Sequence, residues 1–298
     1  MMKIITTLSA VVLLAGTAFA HNNANGFGYF ALEVPEDVTI TADGSDSDWT
    51  WFDGAFTAIS DEMFEIITET LPPKDDIDIA ARTAWAPAPD NRLYGFIRVT
   101  DDTLNVDETD PANGWREDDL EIIIDADHSG GPFEEPAGEN GQQFTMHFAV
   151  PGGYNTPYGN GTAWLRFQVD PAKQWSTALW EADISVSPTG ATHGSTNVTL
   201  GYEFAAPIFT IVANDEASSP RHELVAGQTI GLTYQLNEGD SGDRTHQLST
   251  SGGNGAHWNA DFMSDYTLLA IGEYTRMSGQ GTAVEASSWG KIKATFDE

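Results

Sequence analysis

Cysteine is absent from all 298 residues of the chain. Disulfide bonds, zinc–thiolate centres, iron–sulfur clusters and thiol catalysis are therefore excluded. A secreted chain without disulfides relies on a large hydrophobic core, on bound metal, or on both.

Basic residues are scarce: Lys and Arg number 13 against 45 Asp and Glu, so the formal net charge is −32. Nucleic acids and anionic membranes are bound through Lys and Arg, so we expect no nucleic-acid partner and no membrane insertion. An acidic surface that stays hydrated in salty water is the simplest explanation for this charge. Calcium-binding loops are a second explanation.

Long apolar runs are missing from most of the chain, and the first 20 residues differ from the rest. Lys3 precedes an apolar run at 8–14 and a small-residue cleavage site at 18–20. This pattern is typical of a secretory signal peptide and is too short for a membrane span. The sequence therefore predicts a signal peptide at 1–20 and a secreted or periplasmic protein.

Apolar residues in the rest of the chain alternate with a period of two, and Gly, Pro, Asn and Asp interrupt the pattern at short intervals. This indicates an all-β protein, an antiparallel β-sandwich of the jelly-roll or immunoglobulin-like type with long acidic loops. No linker divides the chain, so we expect a flexible leader at 21–37 and a single domain at 38–298. We also expect a short helix over Asp61–Thr70, capped by Ser60, and a C-terminal strand over Trp289–Phe296.

The stretch Asp119–Asp125 shows the alternation clearly. Its apolar residues at 120, 122 and 124 share one face, and Glu121 lies on the other. Carboxylates on a non-core face accept hydrogen bonds from sugar hydroxyls or bind a hard cation. A pair of carboxylates also suits a glycosidase, although 45 acidic residues make a chance pair expected.

The segment that follows is rich in oxygen donors. Asp125, Asp127 and Ser129 stand at positions 1, 3 and 5 of a loop, and Gly130 stands at position 6. This matches the start of a calcium loop, but Pro136 occupies position 12, where an EF-hand carries a bidentate Glu. The sequence predicts either a calcium loop of another type or an acidic hairpin.

Two of the tryptophans lie in polar, glycine-containing surroundings. Trp115 follows Gly114, and Trp258 lies between His257 and Asn259. A Trp in a strand usually belongs to the core, whereas a Trp in such a loop offers an indole face on which a pyranose ring can stack. No Gly-x-Ser-x-Gly or His-Glu-x-x-His motif supports nucleophilic or zinc-dependent catalysis.

Together these features resemble the family 9 carbohydrate-binding modules, a family of jelly-roll-like β-sandwiches, over about residues 38 to 272. The most specific motif is a Trp followed by an Asp-x-x-Glu-x-x-x-Asp strand. The matching residues are Asp43, Gly44 and Trp49; Leu93, Tyr94, Val99, Asp101 and Asp102; Trp115, Asp118, Glu121 and Asp125; Glu203 and Pro207; Ala226–Gly231, Gln235 and Asn237; and Trp258.

The resemblance implies a site in which two Trp rings hold a terminal sugar and polar side chains bind its hydroxyls. The two rings would be Trp115 and Trp258. The polar ligands would be Glu121 and Gln235, and Asn254 is an approximate match for a further one.

The resemblance also implies the wider function. Calcium is structural in the family, which favours the loop at Asp125 as a cation site, and Thr145 stands where the family carries an arginine. We expect an exported, monomeric, non-catalytic protein. It would bind neutral polysaccharide or oligosaccharide of the xylan or cellulose type and support polysaccharide degradation.

Three alternatives stay open. A related heme-binding, electron-transfer sandwich of the DOMON type would need a Met and a His as axial ligands, and Met146, Met263 and His147 are available. A cell-surface protein could use the sandwich as a scaffold without a sugar site. A hydrolase is the third, because fold alone does not decide function.

Overall fold

The computed structural model describes residues 28–108, 111–135, 137–148, 159–160, 163–167 and 170–279. The expected signal peptide at 1–20 and the expected strand at 289–296 lie outside these residues. Within the described part, no helix has the length and apolar composition needed to cross a membrane.

The described residues form strands with a few short helices. The strands are β1 Tyr29–Glu33, β2 Ala58–Ile59, β3 Phe64–Glu65, β4 Ile77–Ala86, β5 Arg92–Thr103, β6 Asp119–Asp125, β7 Glu134–Glu135, β8 Gly138–Glu139, β9 Gln142–Phe148, β10 Gly159–Asn160, β11 Ala163–Phe167, β12 Glu181–Ser187, β13 Thr196–Ala206, β14 Thr229–Glu238, β15 His246–Ser249 and β16 Ser264–Leu269. Among the described residues, an α-helix, α1, spans Ile271–Gly279, and short 3₁₀ helices span Asp46–Trp49, Gly54–Phe56, Ser60–Glu62, Pro111–Arg116, Pro171–Leu179, Glu216–Ser218 and Ala260–Phe262.

Most strands belong to one curled sheet with the order β10-β11-β9-β6-β14-β16-β1-β4-β5-β13-β12. We call β4, β5, β12 and β13 leaf A, and β6, β9, β11, β14, β15 and β16 leaf B. The prediction of a β-sandwich is confirmed, with one refinement. Strand β1 pairs in parallel with both β16 and β4, so the sheet is mixed rather than purely antiparallel.

Strand β1 also corrects the predicted leader at 21–37. Residues from Tyr29 to Glu33 lie inside the sheet, and Ala31 and Leu32 are fully buried. The ordered fold therefore begins before residue 38. A five-residue strand with only one polar residue gave too weak an alternation to be recognised from the sequence.

The main core lies between the two leaves, as the period of two requires. Ile97 and Leu200 of leaf A and Ile122 and Phe144 of leaf B belong to one buried cluster. The hydroxyls of Thr83 and Tyr234 join the leaves by a hydrogen bond of 3.0 Å, so the buried phenol keeps a partner.

The outer face of leaf A is covered by the segment that contains the Asp-Gly turn. Trp49 is buried there with Tyr94, Phe96 and other apolar side chains. Its Nε1 donates to Glu203 Oε1 at 2.7 Å, and Glu203 Oε2 accepts from the backbone N–H of Gly44 at 3.0 Å. A buried carboxylate therefore holds both ends of the turn.

Glu203 makes stability depend on pH. Burial outweighs its hydrogen bonds and raises its pKa from 4.5 to about 7. The pKa of Glu203 is higher in the folded state than in the unfolded state. Its contribution to the free energy of unfolding is therefore full below pH 4.5 and is lost as the pH rises through 7. We expect Glu203→Gln to remove up to about 3 kcal/mol of the pH dependence between pH 5 and 8. Urea unfolding of the parent chain and of Glu203→Gln at several pH values measures the difference. Parallel plots of the free energy of unfolding against pH would contradict the prediction.

The helix expected over Asp61–Thr70 is wrong. Ser60–Glu62 forms a single 3₁₀ turn, and Phe64–Glu65 forms a short strand paired with β15. The carboxylate of Glu65 accepts hydrogen bonds from the backbone N–H groups of Ile67, at 3.0 Å, and of Thr68. A side chain that captures nearby backbone donors competes with helix formation.

Candidate functional site

The outer face of leaf B carries a row of polar side chains in place of an apolar surface. On β6, Asp119 lies opposite Asn237 of β14, and Glu121 lies opposite Gln235. Strand β9 places Thr145 opposite Glu121 on the other side. Glu121 and Gln235 are therefore neighbours on the face that the alternation predicts, although both are almost completely buried.

Asn237 is the centre of the hydrogen bonds on this face. Its Nδ2 donates to Glu121 Oε1 at 3.0 Å and to Asp119 Oδ1 at 2.5 Å. Its Oδ1 accepts from Gln247 Nε2 at 2.8 Å and from Arg244 Nη1 at 2.5 Å. One amide thus fixes two carboxylates and a guanidinium in a single network.

The two carboxylates are electrostatically unusual. Burial raises the pKa of Glu121, and the hydrogen bond from Asn237 and the charge of Arg244 partly oppose this. Burial and the neighbouring Glu121 raise the pKa of Asp119 well above its usual range. The second oxygen of Glu121 accepts from Gln143 Nε2 at 2.8 Å. This face is therefore a preorganised set of oxygen acceptors with one arginine beside it.

Arg244 lies against one of the two predicted Trp residues and near the neighbour of the other. Its Cζ lies 4.8 Å from the ring centroid of the half-buried Trp115, a cation–π contact. Its charge, after burial, contributes to lowering the pKa of His257 to about 4. The His257 ring lies 3.8 Å from that of Trp258, which is 56 % exposed. Arg244 therefore contacts Trp115 directly and lies close enough to His257, the neighbour of Trp258, to affect its pKa.

The loop that carries Trp258 packs against leaf B. Its residues Ala256 and Ala260 form a small buried cluster with Ile123 and Phe133. The carbonyl of Trp258 accepts from the backbone N–H of Phe133 at 3.0 Å. The backbone is therefore fixed while the indole ring projects outward.

The remaining predicted ligands differ in environment. Gln235 is fully buried, and its Oε1 has no hydrogen-bond partner among the described residues. Oδ2 of Asp119 is also buried without a hydrogen-bond partner among the described residues. Asn254 is exposed in the Trp258 loop. The face therefore holds buried acceptors that a hydroxyl donor would satisfy.

The predicted calcium loop forms a compact turn. Asp125 Oδ2 accepts from Gly130 N–H at 2.8 Å, and Ser129 Oγ donates to Asp127 Oδ1 at 2.7 Å. Ser129 Oγ also lies 3.0 Å from Asn140 Oδ1. Burial and the adjacent Asp127 raise the pKa of Asp125 to about 6. Three residues of the turn and Asn140 from beyond it thus supply side-chain oxygens at one place, a donor set that suits a hard cation.

Met146 and His147 cannot serve together as the axial ligands of a heme. Met146 belongs to the core between the leaves, whereas His147 lies on the outer face, with its Nε2 3.4 Å from Glu117 Oε2. The two side chains therefore point to opposite sides of β9 and cannot bind one iron. Met263 is buried in the cluster beneath the Trp258 loop.

Sequence reasoning missed Arg244, Asn237 as the centre of the network, and Gln143 and Gln247. Strand alternation could have found Gln143, because it shares a face with Thr145 and His147. Arg244 lies in a loop and carries no sequence signal of its own.

The profile of the family described as carbohydrate family 9 binding domain-like matches residues 43–268. The chain belongs to this family. The resemblance seen in the sequence is confirmed, and the match includes the whole stretch from the Asp-Gly turn to β16. Family 9 domains are carbohydrate-binding domains. A search of curated proteins finds no match.

Two solved structures share the fold. A family 9 carbohydrate-binding module from Caldicellulosiruptor kristjanssonii in complex with cellotriose has 13 % sequence identity and a TM-score of 0.54, over 82 % of this chain and 94 % of the module. A second structure of a family 9 module from the same organism, in complex with glucose, has 13 % identity and a TM-score of 0.50, over 81 % and 95 % of the two chains.

Proposed function

We propose that this protein is an exported, non-catalytic, monomeric carbohydrate-binding protein. Its ligand would be a neutral polysaccharide or oligosaccharide of the xylan or cellulose type, and its role would be to support polysaccharide degradation. The observation that carries the proposal is the polar face of leaf B, which holds buried carboxylate and amide oxygens and against which the loop of the exposed Trp258 packs. Indole faces stack on sugar rings, and such oxygens accept hydrogen bonds from sugar hydroxyls.

The relatives support the choice of ligand. The two structurally similar modules were solved with cellotriose and with glucose, which are both neutral. The net charge of −32 also favours a neutral sugar over an anionic one. Arg244 lies on the ring of Trp115 and against Asn237, so a sugar that stacks on Trp115 would contact or displace it.

Calorimetric titration of the chain, with calcium present, against xylo- and cello-oligosaccharides tests the proposal. We expect saturable heat with a dissociation constant between micromolar and millimolar, about −8 to −4 kcal/mol. We also expect no release of reducing sugar during the same incubation. Absence of heat with every neutral glycan would contradict the sugar site, and steady turnover would contradict the non-catalytic role.

The Glu121→Gln substitution tests whether the Glu121 carboxylate binds the sugar. The substitution keeps the shape but weakens the acceptor, so we expect at least about a tenfold loss of affinity. Glu203→Gln is a matched control, because Glu203 is an equally buried carboxylate on leaf A. Equal losses of affinity in both variants would show that Glu121 acts only through stability.

We further propose that calcium is structural and that Asp125, Asp127 and Ser129 supply ligands. The support is the convergence of their oxygens with that of Asn140. Asp127 is exposed, so Asp127→Asn should leave the fold intact. We expect this variant to lose part of the calcium-dependent rise in Tm. A calcium-dependent rise in Tm equal to that of the parent chain would show that calcium does not bind in this loop.

A further inference from the structure

The polar acceptors on the outer face of leaf B are closed off from solvent. Asp119, Gln235 and Asn237 are 0 % exposed, and Glu121 is 3 % exposed. A sugar hydroxyl can therefore reach these oxygens only after a covering side chain has moved. Arg244 is such a side chain, because its Nη1 donates to Oδ1 of Asn237 at 2.5 Å.

Arg244 makes the two kinds of contact that the proposed function assigns to a sugar. Its guanidinium lies on the ring of Trp115, with Cζ 4.8 Å from the ring centroid, where a pyranose would stack. Its hydrogen bond to Asn237 fills an acceptor to which a hydroxyl would donate. A sugar that stacks on this face of Trp115 and binds Asn237 therefore competes with Arg244 for both.

No carboxylate forms an ion pair with Arg244 within the described part of the chain. The guanidinium is held by a ring and an amide, so it can leave its place without breaking a contact between opposite charges. This makes Arg244 a displaceable cover.

The loop that carries Arg244 is tied down by one exposed ion pair. Residues 239–245, here called the latch loop, join β14 to β15. Arg116 donates to Asp243 from Nε to Oδ1 at 2.5 Å and from Nη2 to Oδ2 at 2.8 Å. These side chains are 41 % and 58 % exposed, so salt weakens the pair. Because Arg116 follows Trp115 and Asp243 precedes Arg244, the ion pair and the ring contact join the same two segments.

We propose that the latch loop closes the sugar face and that a sugar binds by displacing Arg244 from Trp115 and Asn237. Because the displaced side chain gives way to a sugar, this inference rests on the proposed function. Arg244 lowers the affinity for every ligand, and it favours ligands that supply both an apolar ring face and a hydroxyl donor.

Calorimetric titration with cello- and xylo-oligosaccharides compares the parent chain with Arg244→Ala. We expect the variant to bind at least about fivefold more tightly, because the sugar no longer competes with a cation–π contact and a hydrogen bond. Arg221→Ala is the matched control, since Arg221 also lies over an aromatic ring, 5.7 Å from the centroid of Phe209, and should leave the affinity unchanged. Equal or weaker binding by Arg244→Ala overturns the latch.

Asp243→Asn releases the latch loop and keeps the positive charge of Arg244 beside Glu121. We expect about a twofold gain in affinity, and a smaller effect of NaCl on the affinity than in the parent chain. This variant decides the test if Arg244→Ala does not fold, and an unchanged or weaker affinity then overturns the latch.

Acrylamide quenching of tryptophan fluorescence, measured without sugar, separates the latch from the sugar site. Arg244→Ala should be quenched more strongly than the parent chain, because the ring of Trp115 loses its cover. The difference should disappear when both proteins also carry Trp115→Phe. If neither the parent chain nor the variants bind any glycan, the proposed function fails, and the quenching alone decides the latch. Unchanged quenching overturns it.

Discussion

Trp258→Ala is expected to reduce the affinity for a neutral oligosaccharide by at least about 30-fold, or about 2 kcal/mol. The indole is 56 % exposed, so most of its area is available to a ligand. Its backbone is held by Phe133 and Gly255, and alanine keeps those hydrogen bonds. The loss should therefore arise from missing stacking and not from a collapsed loop. Calorimetric titration with the best ligand of the panel measures it.

Val225→Ala is the control for this variant, because Val225 is also an exposed apolar residue and lies outside the Trp258 loop, just before β14. We expect unchanged affinity and an unchanged Tm. Trp258→Phe should retain part of the affinity, since a smaller aromatic face remains. If Trp258→Ala binds as tightly as the parent chain, the sugar does not contact this loop.

Trp49→Ala is expected to lower the free energy of unfolding by about 3–5 kcal/mol. The ring is 1 % exposed and packs against Trp51, Phe52 and Phe96 at centroid distances of 5.9–6.2 Å. Removing it leaves a large cavity and takes one donor from the buried Glu203. Urea unfolding monitored by circular dichroism gives the difference.

Two neighbouring variants separate the parts of this effect. Trp51 is only partly buried, and its Nε1 has no hydrogen-bond partner among the described residues. Trp51→Ala should therefore cost clearly less than Trp49→Ala. Trp49→Phe keeps most of the ring but loses the bond to Glu203, so we expect a loss of about 1–3 kcal/mol. A loss below 1 kcal/mol for Trp49→Ala would contradict the anchoring role of Trp49.

The sequence was sufficient for the parts of the fold that depend on local alternation. A period of two correctly assigned Leu120 and Ile122 to the core and Glu121 to the opposite face, because successive side chains of a strand point to opposite sides. The roles of Trp115, Trp258 and the polar ligands in sugar binding stay predictions.

Other features depend on contacts between distant residues and have no local pattern. The carboxylate of Glu65 accepts hydrogen bonds from the backbone N–H groups of Gln247 and Ile67, both at 3.0 Å. These bonds prevent the helix that the local sequence favours. Asp101 and Glu238 are 137 positions apart in the chain, and only the pairing of the strands brings them together. Arg244 likewise reaches Trp115 only after β14 and β15 have paired.

Strand β1 has a consequence for how the isolated domain would behave. In the order of the described strands it is the single link between β16 and β4. A chain shortened to begin at residue 38 would leave both of those strands with open backbone donors and acceptors, which are templates for pairing with a second molecule. The few residues before the apparent domain start thus protect the protein from self-association.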